Sequence, residues 1–138
     1  MLNVSKTKIM LIGTHQRLNA VDSFSVTEDN TSLERVDTFK HLGVIMDETL
    51  SWKEHVSSMG KKISSRLALL RRARKVLPKS ACVTLYNTMV LPLFDYYTVV
   101  WDSCGQGSKS YLDKLNHRAA CIIEDRAVKS DELSTVFG

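Results

Sequence analysis

"FKHLGVIMDETLSWKEHV" (Phe39–Val56) joins two unlike halves of the chain. An apolar run with one glycine leads into the polar "DETLSW", and from Ser51 the spacing of apolar residues changes from two to about 3.6. "HLGVIMD" (His41–Asp47) reads as a buried strand with Gly43 inside it, and a glycine there marks a bulge or the close approach of another backbone. Asp47 reads as the turn former that ends the strand. Ser51 is a candidate helix N-cap, with Glu54 three residues on to complete a capping box. The fold class expected from this junction is α+β: a small antiparallel β element before it, a mostly helical bundle after it.

Working outward towards the N-terminus, "KIMLIGT" (Lys8–Thr14) predicts a strand ending at Gly13. "HQRLNAVDSF" is turn-like, "SFSVT" suggests a second short strand, and "EDNTSLE" a turn. "RVDTF" alternates towards Phe39. Towards the C-terminus, Val56, Met59, Ile63, Leu67 and Leu70 fall on one helical stripe that runs out near Val76 and Leu77. Pro78 suits a helix start. "KSACVTLYNTMVLPLFDYYTVVW" predicts a second, more deeply buried helix, kinked or broken at Pro92. "DSCGQGSKS" reads as a loop, and Leu112, Leu115, Ala119 and Ile122 resume helical spacing. Residues beyond Glu124 look weakly helical or frayed. The expected divisions are 1–50, 51–124 and a tail, 125–138.

The chain has 138 residues, 43% of them apolar, enough to bury one ordinary core. No apolar run is long enough to span a bilayer, and "MLNVSKTKIM" lacks a secretory h-region, so the expectation is a soluble intracellular protein with no membrane partner. Three cysteines without a CxxC pair read as idle or buried thiols. His15, His41, His55 and His117 stand apart, so no metal ligand set is expected. Nothing resembles a phosphate-binding loop, a nucleophile elbow or a zinc-protease helix.

Charge is the strongest signal. Residues 51–79 carry nine Lys/Arg against one Asp/Glu, whereas 1–50 and 80–138 each carry five against seven. The cations are Lys53, Lys61, Lys62, Arg66, Arg71, Arg72, Arg74, Lys75 and Lys79. A single basic band on a helix with one apolar stripe suits contact with a phosphate backbone. A solvated helix face is the alternative reading. Trp52, at the helix start, suits either base stacking or packing against the strand.

Taken together, "LNVSKTKIMLIGT", "VDTFKHLGVIMDETLSWKEHV", "KKISSRLALLRRARKVLP" and "LYNTMVLPLFDYYTVVW" resemble, in order and over residues 2–123, the reverse transcriptases of LINE-type (non-LTR) retrotransposons. The resemblance aligns Leu2, Asn3, Lys6 and Thr7 with the block that closes the palm, and offers Lys6 as a general acid for the leaving pyrophosphate. It aligns Phe39, Lys40, Leu42, Gly43, Val44 and Asp47 with the primer grip, a strand–turn–strand under the growing primer end, with His41 where the family often has an aromatic. The helix from Trp52 then corresponds to the first thumb helix. The resemblance implies RNA or RNA–DNA duplex as a sequence-nonspecific partner, and access to the nucleus. The family polymerises with two divalent metal ions such as Mg2+, held by carboxylates that lie before these blocks, including an Asp-Asp pair. This chain contains no Asp-Asp pair, so a fragment that binds template–primer without polymerising is the expectation. Two other readings stand beside it: a helical module that binds a partner protein through its apolar helix, and a mobile-element remnant without function.

Overall fold

The chain is seen in a computed structural model that describes residues 6–21, 23–28, 30–96 and 104–137. Its fold is α+β, and it divides into two compact units, Met1–His55 and Val56–Gly138.

Among the described residues of the first unit, six short strands form three separate pairs. β1 (Lys8–Ile9) runs parallel to β4 (Glu34–Arg35), tied by a Lys8–Glu34 ion pair at 3.2 Å and by the Val36 N–H to the Ile9 carbonyl at 2.9 Å. β2 (Thr27–Glu28) and β3 (Thr31–Ser32) form an antiparallel pair, as do β5 (Thr38–His41) and β6 (Val44–Asp47). The β element is thus antiparallel in two pairs and parallel in the third. The strand expected from Lys8 to Gly13 keeps only its first two residues. Ile12 is exposed, and the Gly13 N–H bonds instead to the Glu48 carbonyl at 3.0 Å. The segment read as a turn after it contains a short helix, α1 (His15–Asn19), because the Thr14 hydroxyl accepts from the Arg17 N–H at 3.4 Å and Leu18 is buried.

The second unit is built on α2 (Lys53–Ala73), whose first residues lie in the first unit. The stripe Val56, Met59, Ile63, Leu67 and Leu70 is buried along its whole length, as its spacing requires. It stops at Leu70: α2 ends three residues later, and Val76 and Leu77 are exposed. α3 (Lys79–Met89) starts directly after Pro78 and breaks at Val90, after which Pro92 sits in the first turn of α4 (Leu91–Asp95). α3, the start of the helix expected to be the more deeply buried, buries one stripe, Cys82 and Tyr86, with Val90 beyond it. The expected helix residues Tyr97–Trp101 lie outside the described residues.

α5 (Gln106–Glu124) begins inside the segment read as a loop. Gly105 caps it, and the Ser108 N–H donates to the Gly105 carbonyl at 2.9 Å. The early start is explained by packing. Tyr111 lies against α2 at Gly60, where an added Cβ would sit 2.3 Å from the Tyr111 ring. A glycine costs helix propensity, and here it admits an aromatic ring to the helix surface. Leu112, Leu115, Ala119 and Ile122 are buried as expected, with Ala120 and Ile123. Of the two readings of the tail, the helical one holds: a 3-10 turn (Ser130–Glu132) leads into a short α6 (Leu133–Phe137), Val128 and Val136 are buried, and Phe137 stacks on Tyr86 with ring centroids 4.2 Å apart.

Candidate nucleic-acid interface

The residues aligned with the primer grip form one hairpin. Its strands pair in the register Thr38–Asp47, Phe39–Met46, Lys40–Ile45 and His41–Val44. This leaves Leu42 and Gly43 as a two-residue turn, with φ of 47° and 87°. Positive φ at both positions is the type I′ turn, whose twist matches the strands it joins. Gly43 is therefore the turn itself rather than a residue within a strand. Its φ favours glycine, while Leu42 bears the left-handed conformation at a cost of about 1 kcal/mol. Leu42 is 67% exposed at the tip, Val44 is buried, and Thr38 to His41 are all exposed. Phe39 and His41 lie on one face with rings stacked at 6.3 Å, and Lys40 points to the other face.

After β6 the backbone is held by one carboxylate. Asp47 Oδ1 accepts from the Thr49 N–H (3.1 Å), the Thr49 hydroxyl (2.5 Å) and the Ser51 N–H (3.0 Å). Its Oδ2 accepts from the Ser51 hydroxyl (3.1 Å) and the Trp52 N–H (2.9 Å). Burial alone would push the carboxyl up, but these donated hydrogen bonds outweigh it and lower the pKa to about 2. They also hold Leu50 and Trp52 at φ of 52° and 60°. Asp47 thus organises the turn. The expected cap, Ser51, makes only a long 3.5 Å contact with the Lys53 N–H. Trp52 is 7% exposed, so its ring is packed rather than open for a base. One turn on, the buried His55 accepts the Ile45 N–H on Nδ1 at 3.3 Å. In an antiparallel pair alternate N–H groups point away from the partner strand, and His55 receives the one at Ile45. Sequence reading gave His55 no such role.

The nine cations of the basic band are not equivalent. Arg66 donates from Nη1 to the Met89 carbonyl at the end of α3. Arg74 donates from Nε to the Ile123 carbonyl (2.9 Å) near the end of α5, and from Nη1 to the Leu77 carbonyl (3.4 Å). Both guanidinium groups therefore satisfy helix C-terminal carbonyls, where the macrodipole favours a cation. Lys79 pairs with Glu124 and holds that carboxyl below its usual range. The other six, Lys53, Lys61, Lys62, Arg71, Arg72 and Lys75, are exposed and form no ion pair among the described residues. Lys61 and Arg72 are eleven residues apart, three turns, and so lie in line about 16 Å apart on the face opposite the buried stripe. Arg71 lies on one flank and Lys62 on the other, and Lys75 follows two residues after the helix ends.

Lys6 is exposed just before β1, a strand that pairs with β4 and not with the hairpin. Leu2 and Asn3 lie outside the described residues. No group of three His, Cys, Asp or Glu side chains among the described residues could hold a metal ion, and no helix among them is long and apolar enough to cross a membrane.

No family model and no solved structure matches the chain. It is similar to the RNA-directed DNA polymerase from mobile element jockey of Drosophila funebris, with 28% identity over 101 residues. That alignment covers 70% of this chain and 11% of the polymerase, so the chain matches about a tenth of that protein's length. The similarity supports a segment related to reverse transcriptases.

Proposed function

We propose that this chain is the primer-grip and thumb segment of a retroelement reverse transcriptase, and that it holds the sugar–phosphate backbone of RNA or RNA–DNA duplex without sequence preference. The observation that carries this reading is the set of exposed, unpaired cations along α2, together with the similarity to a mobile-element polymerase. Phosphates neutralised by such a surface release condensed counterions, so affinity falls steeply with salt. In the first unit, the exposed hairpin tip at Leu42–Gly43 would support a primer end by close backbone approach. Lys6 would serve as general acid only beside a catalytic centre.

No polymerisation step is assigned to this chain. The two divalent metal ions that such synthesis needs do not fit the donors present. Asp47, the carboxylate of the hairpin, already accepts five hydrogen bonds on its two oxygens, and no other acidic cluster is found among the described residues. Nuclear access follows the same proposal.

Fluorescence anisotropy of a labelled RNA–DNA hybrid, measured at low and near-physiological salt, tests it. Lys61→Glu with Arg72→Glu is the informative variant, since both side chains face solvent and neither supports the fold. Expected is binding that weakens with salt and a slope reduced by about 1.8 in the variant, or about 0.9 per lost phosphate contact. A folded wild type that fails to bind at low salt would refute the proposal. A second reading, a protein-interaction module, draws on the exposed Leu69 beside the half-buried Leu85 and Met89. Leu69→Asp should leave duplex binding intact and abolish only a protein contact.

A further inference from the structure

The end of α2 with the two residues after it, and the second half of α5 with the residue that caps it, form a cleft of about 340 Å³ lined by Arg71, Arg74, Lys75, Arg118, Cys121 and Asp125. Four cations meet one anion, and none of these side chains pairs with another among the described residues. Arg71, in the last turn of α2, and Lys75, two residues past its end, bring like charges to the same cleft, and an anion between them would relieve their repulsion. Arg74 is fixed by its bonds to the Ile123 and Leu77 carbonyls, so its remaining N–H donors are held in place in advance. Three of the four cations are arginines, whose planar forks match phosphate oxygens two at a time.

We infer that this cleft is a phosphate-binding site, with Arg71 and Arg118 closing on the anion from two helices and Arg74 as the fixed donor. The source of the phosphate argued for is the backbone of a bound strand. That choice rests on the proposed function, whereas the cleft's preference for phosphate does not. Arg118 stands far from the basic band in sequence and reaches it only through the packing of α5.

Cys121 provides a reporter. Cys82 and Cys104 are buried, while Cys121 is partly exposed in the cleft wall. Its alkylation by iodoacetamide, followed by mass spectrometry on the full chain, measures occupancy, and the two buried cysteines report any unfolding. Three probes are used separately: sodium pyrophosphate, an RNA–DNA hybrid with a 5′-phosphate, and the same hybrid without it. A ligand at about ten times its Kd should slow Cys121 alkylation about tenfold. Arg118→Gln should weaken pyrophosphate protection about tenfold, the loss of one charge-assisted bond.

Protection by both hybrids alike supports a backbone phosphate. Protection by pyrophosphate alone keeps the phosphate site, assigns it to a small phosphate compound and removes the strand. If the hybrid binds by anisotropy but no probe slows alkylation, the cleft inference is overturned and the proposed function stands. If the hybrid neither binds nor protects and pyrophosphate does not protect, both fall. Protection by polyglutamate and not by pyrophosphate would also overturn the phosphate assignment.

Discussion

Removing the Asp47 carboxylate should loosen the turn between β6 and α2 by an amount the structure allows to be worked out. Its pKa falls from 3.8 to about 2, and at roughly 1.4 kcal/mol per unit this would correspond to about 2.5 kcal/mol. The carboxylate is partly exposed, so water screens the interaction and about 1 kcal/mol remains as the charge-dependent part. Asp47→Asn keeps the shape and one acceptor oxygen and should lose about that much. Asp47→Ala also leaves the Ser51 and Trp52 N–H groups without their acceptor and releases two left-handed residues, raising the loss to about 2 kcal/mol. Because the folded pKa lies below the unfolded one, the contribution is complete above the unfolded value and disappears as pH falls through about 2. The assay is urea unfolding followed by Trp52 fluorescence in a Trp101→Phe background, which leaves a single tryptophan in the turn itself. The wild-type-minus-Asn difference is measured at neutral pH and at several acidic values. An alanine variant within about 0.5 kcal/mol of wild type, or a difference that stays constant down to the lowest pH, would refute the argument.

Two further outcomes concern the helical unit. Burial, with the nearby Asp95 charge adding to it, pushes the Tyr86 hydroxyl up to about 12, and the hydroxyl donates to Asn116 Oδ1 at 2.6 Å. Its raised pKa means a contribution present below pH 10 and lost as pH rises through about 12. Tyr86→Phe should cost about 1 kcal/mol at neutral pH and abolish that alkaline step, as read by denaturant midpoints across the alkaline range. Gly60→Ala should gain about 1 kcal/mol of helix propensity when made in a Tyr111→Ala background and lose that gain against the native ring. Equal effects in the two backgrounds, by thermal unfolding, would show that the ring does not rest on the glycine.

The helical half was legible because burial enforces periodicity: the α2 stripe and the α5 positions Leu112, Leu115, Ala119 and Ile122 are buried where spacing places them. Pro78 marked a helix start and Pro92 a break, because proline lacks the N–H that a helix interior needs. The start of α5 was not legible, since glycine and serine at Gly105–Ser110 argue for a loop and only the contact between Tyr111 and Gly60 argues otherwise. Gly43 was misplaced for a related reason. An apolar run gives no sign that two of its residues take positive φ, and Leu42 is an unusual occupant of such a turn. In the candidate site, the basic band could be read from composition, but Arg66 and Arg74 could not be separated from Arg71 and Arg72. The difference lies in which carbonyls a guanidinium reaches across helices. Arg118 joins the cleft through tertiary packing, which no local pattern records.

The strand pairs also differ in the order in which they can form. β5 and β6 close through two residues, and isolated hairpins of this kind assemble within about 1–10 μs. β1 and β4, by contrast, bring together Lys8 and Glu34 across 26 residues and run parallel, so their chain-closure entropy must be met before any contact rewards it. The hairpin can therefore form while β1 is still searching, and the reverse order is unfavourable. The same hierarchy should govern opening: the Val36 amide, bonded to the Ile9 carbonyl, should exchange with solvent in local events that leave the hairpin amides protected. The first unit should thus unravel from its parallel pair while the turn at Leu42–Gly43 is still formed.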